Sequence, residues 1–150
     1  MLRRAATLSL TTLLIGGSAP AGAYAATADE FAGKANTICS TATKKVEKLK
    51  KPSSVSGLKS FAKKVIAVIK PAQAKLEALE LPTEKRSTAK KAVTLSAKDL
   101  KTFKTYLADL EDGDSAKAAT AKLEKALKAN EAEQNKAWRA VGATKCASEG

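Results

Sequence analysis

At 150 residues, with 27 basic against 15 acidic side chains, the chain carries a net charge of +12 and is 44% hydrophobic, enough for one ordinary core. It has no histidine and two cysteines, which removes the usual general base and the commonest metal ligand from its chemistry. No glycine-rich phosphate loop, nucleophile elbow or close-spaced cysteine pair takes their place, so the residues point to no catalytic site, no metal site and no cofactor.

Residues 1–25 read as a cleaved signal peptide. Met1-Leu2-Arg3-Arg4 is a short positive start, Leu8–Ile15 is the apolar centre, and Gly16–Pro20 breaks a helix. Ala23 and Ala25 are small residues at the −3 and −1 positions of a cut before Ala26. The apolar centre is too short for a membrane span, which needs about 20 residues. No cysteine stands at the end of the leader to take a lipid. Arg3-Arg4 suggests a twin-arginine signal, but Ala6 and Thr7 follow where bulky apolar residues are usual, so unfolded export is expected. The product is then secreted, or held in the periplasm or cell envelope, without a transmembrane anchor.

Residues 26–150 are predicted to form one helical domain, because their apolar positions recur at three- and four-residue steps. Helix one is expected over 29–51, capped by Asp29, with Phe31, Ala35, Ile38, Ala42, Val46 and Leu49 as its stripe and Cys39 beside it. Pro52 through Gly57 makes a turn. Helix two is expected over 56–80 on Leu58, Phe61, Val65, Ile69, Ala72, Leu76 and Leu79, and Pro71 should kink or split it. Helix three, 83–112, has Thr83 as its cap and Ala89, Val93, Ser96, Leu100, Phe103, Leu107 and Leu110 on one face. Gly113 ends it in a left-handed turn. Helix four, 115–141, is capped by Asp114 and carries Leu123, Leu127, Asn130, Gln134 and Trp138.

Four such helices with short turns predict an all-α, up-down-up-down antiparallel four-helix bundle. Its last helix returns to the start of its first, where Cys146 meets Cys39. In an exported chain, this even pair reads as one disulfide closing the bundle.

The charge is uneven. Between Phe31 and Lys75 stand 11 lysines against one acid, Glu47, whereas from Leu76 onward 14 basic residues face 12 acids. Lys44, Lys45, Lys48, Lys50, Lys51, Lys59, Lys63, Lys64 and Lys70 form the expected contact with an anionic envelope polymer or lipid surface. A solubilising lysine surface accounts for the same residues. So does pairing with the acidic turn Asp109, Glu111, Asp112 and Asp114, which the topology puts at the same end.

The segment Gly57–Lys70 resembles a cationic amphipathic peptide, although inside a bundle its apolar face belongs to the core. Asp109–Asp114 has calcium-loop elements, but its glycine is one place early and Thr120 stands where the loop needs glutamate. A helix stop followed by a cap explains it. Asn130 and Gln134 interrupt the stripe of helix four and read as pocket residues or as hydrogen bonds that fix register.

The expected function is therefore binding or structural, by a monomer. The alternative is a carrier of a small apolar ligand between the helices, at the Pro71 kink and the alanine-rich faces. Nucleic acid is not the expected natural partner of an exported chain, although a basic protein binds phosphates in vitro.

Ala35-Asn36-Thr37-Ile38-Cys39, Leu81-Pro82 and Gly142-Ala143-Thr144-Lys145-Cys146 together resemble a pattern found in small secreted two-cysteine helical proteins of high-GC, actinobacterial-type bacteria. Those have an early Ala-Asn-x-Ile-Cys helix, a Leu-x-Pro hinge and a late Gly-x-x-x-Cys. The resemblance covers most of residues 26–150. It implies a disulfide-closed helical bundle and brings no activity with it.

Overall fold

The computed structural model describes residues 26–147; the signal-peptide reading of residues 1–25 lies outside them. Among the described residues the chain is an all-helical bundle: α1 (Ala28–Glu47), α2 (Val55–Glu77), α3 (Arg86–Glu111), α4 (Ala116–Ala140) and a short 3-10 helix, Thr144–Cys146. Each predicted helix is present. Their ends differ from expectation for local reasons.

Thr27, rather than Asp29, caps α1. Its hydroxyl accepts from the Glu30 N–H at 3.2 Å, and the Glu30 carboxylate accepts from the Thr27 N–H at 2.9 Å. This reciprocal box needs a threonine three residues before a glutamate, which Thr27 has. The helix stops at Glu47 instead of continuing to 51, with Lys48 as its C-cap, a few residues ahead of Pro52.

Ser54 caps α2, and its hydroxyl accepts from Gly57 N–H at 3.1 Å. Pro71 does not split this helix, which runs through it to Glu77. Thr83 does not cap α3. Lys85 stands at that position without capping the helix, its ammonium donating to Ala140 O at 2.8 Å, and Glu84 accepts from the Ala28 N–H at 2.8 Å, tying the α2–α3 connection to the start of α1. Ser115 rather than Asp114 caps α4, through Ala118 N–H at 3.2 Å. Gly113, at φ +95°, supplies the left-handed stop of α3 as expected.

α1 packs on α2, α2 on α3, and α3 on α4, while the 3-10 helix packs on α1. α1 and α4 do not pack along their length. They meet at one end, where Phe31 stacks on Trp138 with ring centroids 6.3 Å apart. Gly142, at φ +83°, turns the chain back onto α1 there; a Cβ at this position would stand 3.4 Å from that of Ala32. Asn36 then holds the returning segment, donating to Gly142 O at 3.4 Å and accepting from the Lys145 N–H at 2.7 Å. Cys39 and Cys146 lie with Sγ atoms 2.03 Å and Cα atoms 5.1 Å apart, so the predicted pair is joined.

Two buried clusters result. The larger, at the disulfide end, is built on Phe31, Ala35, Leu76, Val93, Trp138 and Val141. The smaller, at the other end, joins Ala62, Tyr106, Leu110 and Ala119. Phe61, Leu100, Phe103 and Leu127, expected in the core, are only half-buried. Gln73, outside the predicted stripe, is buried, because its amide donates to Val93 O at 3.1 Å and to Glu77 at 2.9 Å.

Candidate functional site

The lysines singled out from the sequence fall on one end and one face. Lys44 and Lys45 close the last turn of α1, and Lys48, Lys50 and Lys51 lie in the connection to α2; all five are exposed. Lys63, Lys64 and Lys70 are exposed on α2, and Lys59 is half-buried there. Ala62 and Val65, between them in sequence, are buried, so the amphipathic segment turns its apolar side into the bundle.

The acidic turn finds other partners. Lys122 Nζ lies 2.7 Å from Asp114 and 3.3 Å from Asp109, and Lys63 lies 2.8 Å from Glu111. Of the nine lysines, Lys63 is the one in these pairs; the α1–α2 connection does not supply them. Calcium-loop geometry is not needed to explain the turn, because Gly113 stops one helix and Ser115 starts the next.

Asn130 and Gln134 are not idle stripe breaks. Both reach across to α3 and converge on Asp99. The Asn130 amide donates to Asp99 Oδ1 and to Leu95 O, both at 2.8 Å. The Gln134 amide donates to Asp99 Oδ2 at 2.7 Å and to Ser96 Oγ at 3.1 Å. The Trp138 indole N–H donates to the same hydroxyl at 3.1 Å. One α4 face thus holds a half-buried carboxylate at the level where the two core clusters leave a gap.

Two cavities open beside this network and share Asp99, Phe103 and Gln134. One, of about 330 Å³, runs past Ile69, Ala72 and Leu100 to the disulfide. The other, of about 540 Å³, lies toward α4 at Leu127, with Glu124, Lys128 and Glu131 around it. The first lies in the seam that α1 and α4 leave open, and the second adjoins it between α3 and α4.

Burial raises the Asp99 pKa above its ordinary value of 3.8, opposed by the Asn130 and Gln134 donors; the like charge of Glu131 adds to the rise. A raised carboxylate favours its neutral form in the fold. Its contribution to stability is therefore full below the ordinary value and is lost as pH rises through the raised one. Glu30 behaves oppositely: the Thr27 N–H and hydroxyl lower its pKa, so its contribution is present above 4.5 and lost on acidification.

Carboxyl-carbon NMR should therefore find the Asp99 midpoint above the ordinary range. Gln134→Ala, which removes a donor to the charged form, should move it higher. A midpoint at or below the ordinary value, or a downward move in the variant, contradicts the burial account.

Sequence reasoning passed over Asp99 itself. The available signal was its spacing: three residues after Ser96 and four before Phe103, on the edge of the α3 stripe.

Set against known proteins, the chain matches no family model, no curated protein and no solved structure.

Proposed function

We propose that this chain is an exported monomer of the up-down-up-down antiparallel class, residues 26–150 following a cleaved signal peptide at 1–25. In this reading it binds or coats an anionic cell-envelope polymer or lipid surface through its lysine-rich first half. It carries out no catalysis and needs no cofactor or metal. The antiparallel assignment is supported by two cross-helix pairs: Lys63 with Glu111 sets the start of α2 against the end of α3, and Gln73 with Val93 sets the end of α2 against the start of α3. Lys122 with Asp109 and Asn130 with Asp99 run α4 back along α3. No helix among the described residues is long and apolar enough to cross a membrane. The export reading rests on the leader and on its resemblance to small secreted two-cysteine proteins.

The observation that carries the binding reading is the run Lys44, Lys45, Lys48, Lys50 and Lys51. Five exposed ammonium groups stand at one end of the molecule, while the acidic turn pairs with Lys122 and Lys63 instead. Each lysine near an anionic leaflet contributes about 1 kcal/mol, within a field that fades over about 10 Å at 0.1 M salt.

Retention on isolated cell walls or on phosphatidylserine-containing vesicles should fall steeply as salt rises through several hundred millimolar. Replacing the five lysines with glutamine should weaken it by about a thousandfold or more at low salt. The same number of changes on α4 (Lys117, Lys125, Lys128, Lys136, Arg139) should weaken it far less. Salt-independent retention, or equal loss from both variants, defeats this reading.

The open groove at Asp99 favours a second reading, a carrier with its ligand held between the helices. Its volume falls in the range of about 300–1,000 Å³ typical of small-molecule pockets.

A further inference from the structure

We infer that the groove along the α1–α4 seam binds a cationic amphiphile, a small ligand with an apolar body and one ammonium or guanidinium group seated against Asp99. This inference rests on the carrier reading and specifies its ligand.

The groove exists because the bundle is closed unevenly. α1 is fastened to the end of α4 by the Phe31–Trp138 stack, by Asn36 and by the disulfide, and beyond that end the two helices do not pack. α3 forms the floor. Ile69, Ala72, Leu100, Phe103 and Leu127 supply apolar walls, and the two buried clusters lie beyond either end. Half-buried Leu100, Phe103 and Leu127 would gain burial from an apolar body laid along the seam.

The charge of the groove runs against that of the chain. The molecule is strongly basic, yet Asp99 lies on the groove floor, with Glu124 and Glu131 around its α4 side against Lys128, and Lys145 lies at the disulfide end. Asp99 is also held in place. Each of its oxygens accepts from a different α4 amide, so the carboxylate is oriented before any ligand arrives. Those donors are neutral, and the described ion pairs do not reach Asp99. A half-buried carboxylate with amide donors and no counter-cation is complementary to a ligand cation, which would supply a charge-assisted bond where the amides supply none. A free fatty acid would set its carboxylate beside that of Asp99 and is disfavoured. This site is distinct from the lysine surface and takes ligands of the opposite sign.

The test uses three probes of one chain length, decylamine, 1-decanol and decanoate, each below its aggregation concentration. Binding to the protein is followed by calorimetry and by the side-chain amide and indole NMR signals of Asn130, Gln134 and Trp138. The expected result is that decylammonium binds at one site and shifts those signals, with affinity about tenfold above decanol and higher still above decanoate. Asp99→Asn should bring decylammonium down to the level of decanol. Glu124→Lys, at an exposed position that leaves the fold intact, should weaken decylammonium by a few-fold at low salt and leave decanol unchanged.

Equal binding of decylammonium and decanol, unaffected by Asp99→Asn, overturns the cation preference and leaves the carrier reading standing. Failure of all three probes to shift the groove signals overturns both. A dimer in sedimentation that buries Phe103 would also overturn the inference, by making a second copy the occupant of the groove.

Discussion

Replacing Cys39 and Cys146 together with serine lowers the melting temperature on the order of 10–20 °C, while far-UV helicity at room temperature stays close to that of the parent. The bond spans a sequence separation of 107, for which loop-closure entropy sets an upper guide of roughly 4–5 kcal/mol. Helicity survives because the α2–α3 and α3–α4 interfaces do not depend on the bond. The α1 attachment does. Both cysteines pack against the larger core cluster, and the 3-10 helix that carries Cys146 lies on α1. Hydrogen exchange in the variant should accordingly accelerate first in α1 and in the segment after Gly142. Asn36, which bonds to both Gly142 and Lys145, retains part of the clamp. The measurements are a thermal melt followed by circular dichroism and mass spectrometry of a non-reduced digest of protein made in an oxidising compartment. Two free thiols in that digest, or an unchanged melt, would defeat the prediction.

The second large effect is expected at Trp138. Its ring is fully buried, stacks on Phe31 and donates its N–H to Ser96. Trp138→Ala removes the largest side chain in the core, opens a cavity between α1, α3 and α4, and leaves Ser96 with the Gln134 amide as its remaining donor. The loss should be about 3–5 kcal/mol, a large share of the roughly 5–15 kcal/mol that holds a small domain together. Phe103→Ala is the matched control. That ring is half-buried beside the groove, so its removal should cost about 1 kcal/mol or less. Urea denaturation followed by circular dichroism gives both values. Equal losses would mean that the groove is as tightly packed as the disulfide end, which also bears on the ligand site.

The caps show how near a local reading comes. Asp29, Thr83 and Asp114 were the expected N-caps, and Thr27 and Ser115 do that work for α1 and α4. The errors are one or two residues, because several side chains in each turn have the right chemistry and helix packing decides which of them stands at the boundary. Lys85, with no side-chain cap, marks a different case. Glu84 is drawn off to the start of α1, a partner far away in sequence. Pro71 is expected to kink or split α2; it does not split the helix, which runs on to Glu77.

By itself, the sequence determined the four helices, their order, the turns at Pro52, Pro82 and Gly113, and the pairing of Cys39 with Cys146. Those follow from periodicity, from backbone-restricting residues and from an even cysteine pair, each of which acts over a few residues or depends on composition. The exposure of Lys63 and Lys70 was also legible, because helical spacing alone places them opposite the apolar stripe of α2. Only the tertiary structure decided that α1 and α4 separate along their seam, since a stripe says which face is apolar and not how far its partner stands away. Only the tertiary structure made Asp99 more than a surface acid. Asn130 and Gln134 lie 31 and 35 residues beyond it, and no local pattern reports that two amides on the next helix meet its two oxygens. The burial that raises its pKa exists only after α4 has folded back across α3.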